Sequence, residues 1–245
     1  MNWYGLIIFL SVFVAWKLSS LARPPKIKPE NWEKLFFLLF PAAIVGARLY
    51  HVADYHTYYS QHPTEIFALW HGGLGIWGAI ITGIIFIFLF AKHYELSFFS
   101  LTDSLALGLP LAQALGRLAN PLNHEGFGYP TTLPWGQKIA SQFRPALYQN
   151  FDRFHPSWAY ESILNLFLFL FLFFLWHRNK RGEGLFTALY LAGYGLIRFL
   201  VEFTRHDTWQ VGQLKIAALL SFLSFFTGLT ILFLKKPYRK PCRTN

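Results

Sequence analysis

The sequence predicts an all-α integral membrane protein of about seven transmembrane helices, with a cap loop on its outer face. Three observations predict it. Of the 245 residues, 54% are hydrophobic and only 14% charged, whereas soluble domains run near about 25% charged. Apolar runs of the length a bilayer demands, about twenty residues, recur along the chain. Lys and Arg sit mostly in short stretches between those runs, the pattern that orients helices in a membrane.

The predicted spans, in order, are 3–21, 32–52, 66–91, 98–118, 158–176, 185–203 and 214–234. The fourth is the most interrupted, by Asp103, Pro110, Gln113 and Arg117. Basic residues gather at four places: Lys17 to Lys34, Lys92, Arg178 to Arg181, and Lys235 to Arg243. These belong on the cytoplasmic side. The N-terminus, 50–65, the long 119–157 connection and the short 205–213 loop then face outward. The Gly, Pro and aromatic residues of 119–157 predict folded irregular structure rather than a flexible linker. Helices in a bilayer form one bundle, so residues 1–245 are read as a single polytopic membrane domain with 119–157 as its cap.

The formal net charge is +10. Its placement between apolar runs points to membrane orientation and anionic lipid rather than to nucleic acid. The single cysteine, Cys242, stands in a basic tail and can make no internal disulfide. The first apolar run lacks a positive leader segment, so it is read as a retained helix. No nucleophile elbow, zinc-protease or phosphate-loop motif occurs, and no metal or cofactor is predicted.

Charged side chains inside a bilayer cost about 2.5–3.5 kcal/mol each on insertion scales. Arg48, Asp103, Arg117, Glu161, Arg198 and Glu202 are therefore the informative residues. Tyr194, Arg198, Glu202 and Arg205 fall on one stripe of the sixth span. Glu202 can pair with Arg198 or with Arg205. Either this is a structural ion pair, or one Arg is left to hold an anionic headgroup. Asp103, Pro110, Gln113, Arg117 and Asn120 share roughly one face of the fourth span, and Asn123, His124 and Glu125 follow. Arg117 either snorkels to the interface or joins the sixth-span Arg in an anion site. Four Gly in Gly72–Gly78 allow close backbone approach to a helix or a ligand. His71, beside them, can be a base, a headgroup donor or an interfacial residue. Ser157 suits an N-cap and Glu161 the first turn of the fifth span, where the helix dipole favours a carboxylate.

Gly116-Arg117-Leu118-Ala119-Asn120-Pro121-Leu122-Asn123-His124-Glu125 resembles the signature of the prolipoprotein diacylglyceryl transferases. The other motifs follow in that family's order: Trp3-Tyr4-Gly5, Gly46-Ala47-Arg48, Trp70 with Gly72-Gly73, His155-Pro156-Ser157 with Tyr160-Glu161, Gly193-Tyr194-Gly195 with Arg198, Glu202 and Arg205, and Gly212-Gln213. The resemblance covers nearly the whole chain.

It implies a bacterial inner-membrane transferase with its N-terminus outside, its C-terminus cytoplasmic and a periplasmic-side cap. Such an enzyme moves the diacylglyceryl group of phosphatidylglycerol to the lipobox cysteine thiol of a preprolipoprotein, with release of glycerol 1-phosphate. It needs no cofactor. Its implied site uses Arg117, Arg198 and Glu125 for catalysis, and His71 is added as a candidate for its place beside the third-span glycines. Arg117, Asn120, Tyr4, Tyr194, Arg198 and Glu202 bind phosphatidylglycerol. Two departures stand out. The third-helix His or Tyr proposed as the family's base is Trp77 here, which leaves the base unassigned among His71, His124, Glu125, His155 or none. Pro121 replaces a usual Phe. The rival readings are a non-catalytic phospholipid-binding protein on the same scaffold and a small-solute transporter. The second should show an internal repeat, and the sequence has none.

Overall fold

The computed structural model describes residues 3–178, 182–212 and 214–235. Lys180, Arg181, Gln213, Cys242 and the basic residues from Lys236 to Arg243 lie outside them. Seven helices are long and apolar enough to cross a membrane. They are α1 (Trp3–Leu21), α2 (Pro29–Asp54), α4 (Ile76–His93), α5 (Phe98–Arg117), α6 (Ser157–His177), α7 (Leu185–Glu202) and α8 (Ile216–Lys235), with a short α3 (His56–Gln61) between the second and third spans. The predicted all-α membrane architecture with about seven spans is the observed one. The residues form two compact units, one of residues 23–101 and one of residues 1–22 and 102–245.

In the unit of residues 23–101, α2 packs on α4 where two glycines meet. A Cβ on Gly78 would strike the Gly46 carbonyl, and one on Gly46 would strike Thr82. Small residues at a crossing let helix backbones approach and gain dispersion contacts that lipid cannot offer.

The third span begins later than the sequence suggests. Residues 66–75 are not helical: they run through short 3-10 turns and then Gly72 and Gly73 at φ +82° and +73°. The physical reason is Arg48, 5% exposed on α2. Its guanidinium donates to the carbonyls of Ile66 (2.9 Å), Gly72 (2.7 Å), Gly73 (3.0 Å) and Ala68 (3.4 Å), and to that of Glu65. Those carbonyls turn toward a cation instead of along a helix, and the left-handed turn this requires is one glycine supplies without steric cost. The Arg48 guanidinium also lies 5.2 Å from the Tyr59 ring centroid. Its donors are spent on backbone, so Arg48 orders a loop.

In the other unit, α5, α6 and α7 pack side by side, with α8 against α7. Leu107, Leu172, Phe186 and Val201 are buried in the apolar centre. Polar contacts join α5 to α7 at three levels. Asp103 accepts from the backbone N–H of Gly184 (2.7 Å) and Thr187 (2.8 Å), capping the start of α7. Gln113 Nε2 donates to the Tyr190 hydroxyl at 2.9 Å, and Arg117 lies within electrostatic reach of Tyr194. Asp103 therefore serves the end of the bundle away from Arg117.

The 119–157 segment is folded, as its composition predicts. The strands β1 (Gln137–Lys138) and β2 (Arg153–Phe154) pair antiparallel, and Phe127, Ile139 and Phe154 make a small core of their own. A second two-residue pair, β3 (Gln210–Val211) with β4 (Leu214–Lys215), precedes α8, so the last span starts two residues later than expected.

Ser157 is not the N-cap of α6. The cap position is Pro156, and the Ser157 hydroxyl lies 2.7 Å from that of Thr204, just beyond α7. Tyr129 N–H also donates to the Thr204 carbonyl at 2.8 Å. These bonds pin the 119–157 segment and the start of α6 to the end of α7.

Candidate active site

Four chain segments bring polar groups to one end of the larger unit: the start of α1, the end of α5, the first turns of α6 and the end of α7. At their centre is Glu161, with no exposed surface. Arg117 Nη2 lies 2.7 Å from one of its oxygens, and Arg198 Nη1 and Arg205 Nη1 lie 3.7 and 4.0 Å from the other. Glu202, also buried, pairs with Arg198 at 2.9 Å. Arg205 donates to Asp207 at 2.9 and 3.1 Å. Lys215 crosses from β4 to donate to the carbonyls of Glu202 (3.0 Å) and Arg205 (2.8 Å), a cation where the dipole of α7 favours one.

Each buried charge is thus compensated, as a low-dielectric site requires. Of the two sequence alternatives for Glu202, the i−4 partner Arg198 is the one it takes. Neither bundle arginine is free of carboxylate. They differ in access: 28% of the Arg117 side chain is exposed against 15% for Arg198 and 12% for Arg205. Arg117 is the cation an incoming anion reaches most readily.

Tyr194 stacks on Tyr190 with ring centroids 5.8 Å apart and lies within electrostatic reach of Glu161, Arg117 and Arg198. Tyr4, on α1, lies within electrostatic reach of Arg117 and Glu125. Asn120 is buried in the 3-10 turn that follows α5, and its carbonyl accepts the Glu125 N–H at 3.0 Å. Of the residues singled out from sequence, Arg117, Arg198, Glu202, Tyr4, Tyr194, Asn120 and Glu125 all belong to this unit. His71 belongs to the other, where it stands outside the helix, exposed, with Nδ1 3.5 Å from Glu65. Among the described residues no three His, Cys, Asp or Glu side chains converge, so no metal centre is assigned.

A family model described as prolipoprotein diacylglyceryl transferase matches residues 1–234. The chain belongs to the prolipoprotein diacylglyceryl transferase family. It is 40% identical over 234 residues to a phosphatidylglycerol--prolipoprotein diacylglyceryl transferase of Synechococcus elongatus, covering 93% of this chain and 81% of the relative. It is 38% identical over 231 residues to the protein of that name from Fervidobacterium nodosum, with 93% and 79% covered. The like-named Synechocystis protein is 40% identical over 234 residues, with 93% and 83% covered.

Sequence reasoning about this diacylglyceryl transferase family member missed Glu161, which was given to the helix dipole. One signal could have found it. Arg117, Arg198 and Arg205 outnumber Glu202 in the sequence stripes near the span ends, and a carboxylate in a bilayer needs a partner. Glu161 was the unassigned charge.

His206, next to Arg205, is ringed by Phe127, Tyr129 and Tyr148 at centroid distances of 5.2, 6.2 and 6.1 Å. Burial pushes its imidazole below the usual 6.5, with Asp207 opposing and Arg205 adding to the fall. A His held neutral by the fold contributes stability that is complete above 6.5 and is lost as pH drops through the lowered value. The thermal midpoint in detergent should therefore fall as the pH is taken below 6.5, and His206→Phe should flatten that fall. An unchanged slope in the variant would assign the acid sensitivity elsewhere.

Proposed function

We propose that this chain transfers the diacylglyceryl group of phosphatidylglycerol to the lipobox cysteine thiol of a prolipoprotein still carrying its signal peptide, releasing glycerol 1-phosphate. Family membership supports the reaction. The observation that carries the assignment to particular residues is the arginine cluster around Glu161, with Arg117 its most accessible member.

Carbon–oxygen cleavage at the glyceryl carbon leaves a phosphate monoester, so charge builds on the leaving oxygen. Arg117 meets that phosphate with a planar, bidentate donor, and Arg198, steadied by Glu202, is the second anchor. The phosphate competes with Glu161 for Arg117, and Glu161 keeps Arg198 and Arg205 as partners while it does so. Tyr4, Tyr194 and Asn120 line the headgroup pocket, and Glu125 stands at its edge. A cationic site also favours the acceptor thiolate over a thiol of pKa about 8.5. The partners of the basic charge are lipid and precursor protein, not nucleic acid.

The 245 residues work as one polytopic domain of the bacterial cytoplasmic membrane, N-terminus outside and C-terminus cytoplasmic. The site and the 119–157 cap then lie at the outer face, where precursors emerge. Purified protein in phosphatidylglycerol vesicles with a lipobox peptide should yield the diacylglyceryl thioether and glycerol 1-phosphate. If neither forms, under conditions where the Synechocystis relative is active, the non-catalytic lipid-binding reading takes its place.

A further inference from the structure

We infer that His124 takes the acceptor thiol's proton in this chain, an inference that rests on the transfer reading above. Trp77 cannot do so, because an indole N–H only donates. The chain has nine histidines, and the unit that holds the arginine cluster contains His124, His155, His177 and His206. His177 ends α6, far from Glu161 at its start. His155 is occupied: its Nδ1 is hydrogen-bonded with the Tyr160 hydroxyl at 3.2 Å, and that hydroxyl also accepts from Trp135 Nε1 at 2.9 Å. His206 packs its ring against the aromatic side chains of Phe127, Tyr129 and Tyr148.

His124 is held differently. It stands directly before Glu125, in the turn that follows Arg117 and Asn120. Its backbone is left-handed, φ +54° and ψ +36°, a conformation that costs a non-glycine residue on the order of 1 kcal/mol. The turn enforces it, with His124 N–H donating to the Pro121 carbonyl at 3.2 Å and Glu125 N–H to that of Asn120 at 3.0 Å. The imidazole lies flat on Phe143 of the cap, centroids 3.7 Å apart and planes at 15°. The stack fixes the ring plane and leaves its edge open. Neither ring nitrogen is hydrogen-bonded to a described residue. An exposed, oriented imidazole with a free lone pair, one residue from a carboxylate, is what a thiol base requires.

In the step, the S–H proton passes to the free imidazole nitrogen as sulfur bonds to the glyceryl carbon. The carbon–oxygen bond to phosphate breaks, and its electron pair leaves on the phosphate oxygen. The imidazolium then returns its proton to the released monoester or to water.

The test uses the full chain in phosphatidylglycerol vesicles with a lipobox peptide. Glycine suits a positive φ, so His124→Gly should fold, and His124→Asn, which also tolerates it, replaces that variant if its melting temperature drops. Loss of the base should lower kcat at pH 7 by about 10²-fold, with KM for phosphatidylglycerol within about twofold. The deficit should shrink toward pH 9, where the thiol ionises unaided (pKa about 8.5), and added imidazole should restore part of the rate. A variant within about threefold of the unaltered chain at pH 7 overturns the inference. So does an equal loss at pH 7 and 9 that imidazole does not relieve, which is the behaviour of a merely structural residue. Absence of transfer by the unaltered chain overturns the reaction itself, and the inference with it.

Discussion

Arg117→Ala should abolish transfer while the protein still inserts and folds. Removing one preorganised donor to a developing oxyanion costs about 10²–10³ in rate, and removing an arginine aimed at a phosphoryl group about 10³–10⁵. A fall of at least about 10³ in kcat is expected here, because Arg117 is the most exposed cation of the cluster. The fold should tolerate the change. Glu161 keeps Arg198 at 3.7 Å and Arg205 at 4.0 Å, so no buried carboxylate is left without a cation. Arg117→Lys keeps the charge but loses the bidentate fork, and should fall between the two. Glycerol 1-phosphate release against the melting temperature of each variant measures both effects. Near-normal turnover by Arg117→Ala would refute the phosphate-anchor role.

Glu161→Gln should be the reverse case, costing stability as well as activity. The substitution preserves shape and removes the one charge that Arg117, Arg198 and Arg205 share. Breaking a buried ion pair by removing one partner costs about 3–5 kcal/mol. Here three cations would face each other around a neutral amide. The variant should melt markedly lower and lose transfer, because the arginines no longer hold their spacing. A second substitution separates the causes. Adding Arg117→Met relieves the repulsion, so the double variant should recover part of the melting temperature but no activity. Simple additivity of the two stability changes would mean that the residues do not act as a unit.

Much of this protein is legible along the chain. Hydropathy placed all seven spans, because a bilayer imposes one length on every crossing segment. Helical periodicity placed Tyr194, Arg198 and Glu202 on one stripe, because residues four apart are always neighbours on a helix. Periodicity also put Asp103 and Gln113 on one face of α5, and both meet α7. It could not say that Asp103 and Arg117 serve opposite ends, since fourteen residues of helix run to about 20 Å.

Three features needed the tertiary structure. The start of α4 depends on Arg48, which draws carbonyls from residues 65 to 73. Ser157 bonds Thr204 across the cap rather than its own helix. Glu161 meets an arginine 44 residues away on another helix. The sequence by itself determined the number of crossings, the family, and the charges that had to find partners. Which partner each charge found was decided only when the helices packed. Hydropathy and periodicity are properties of one segment, whereas an ion pair between helices depends on which faces meet and at what height.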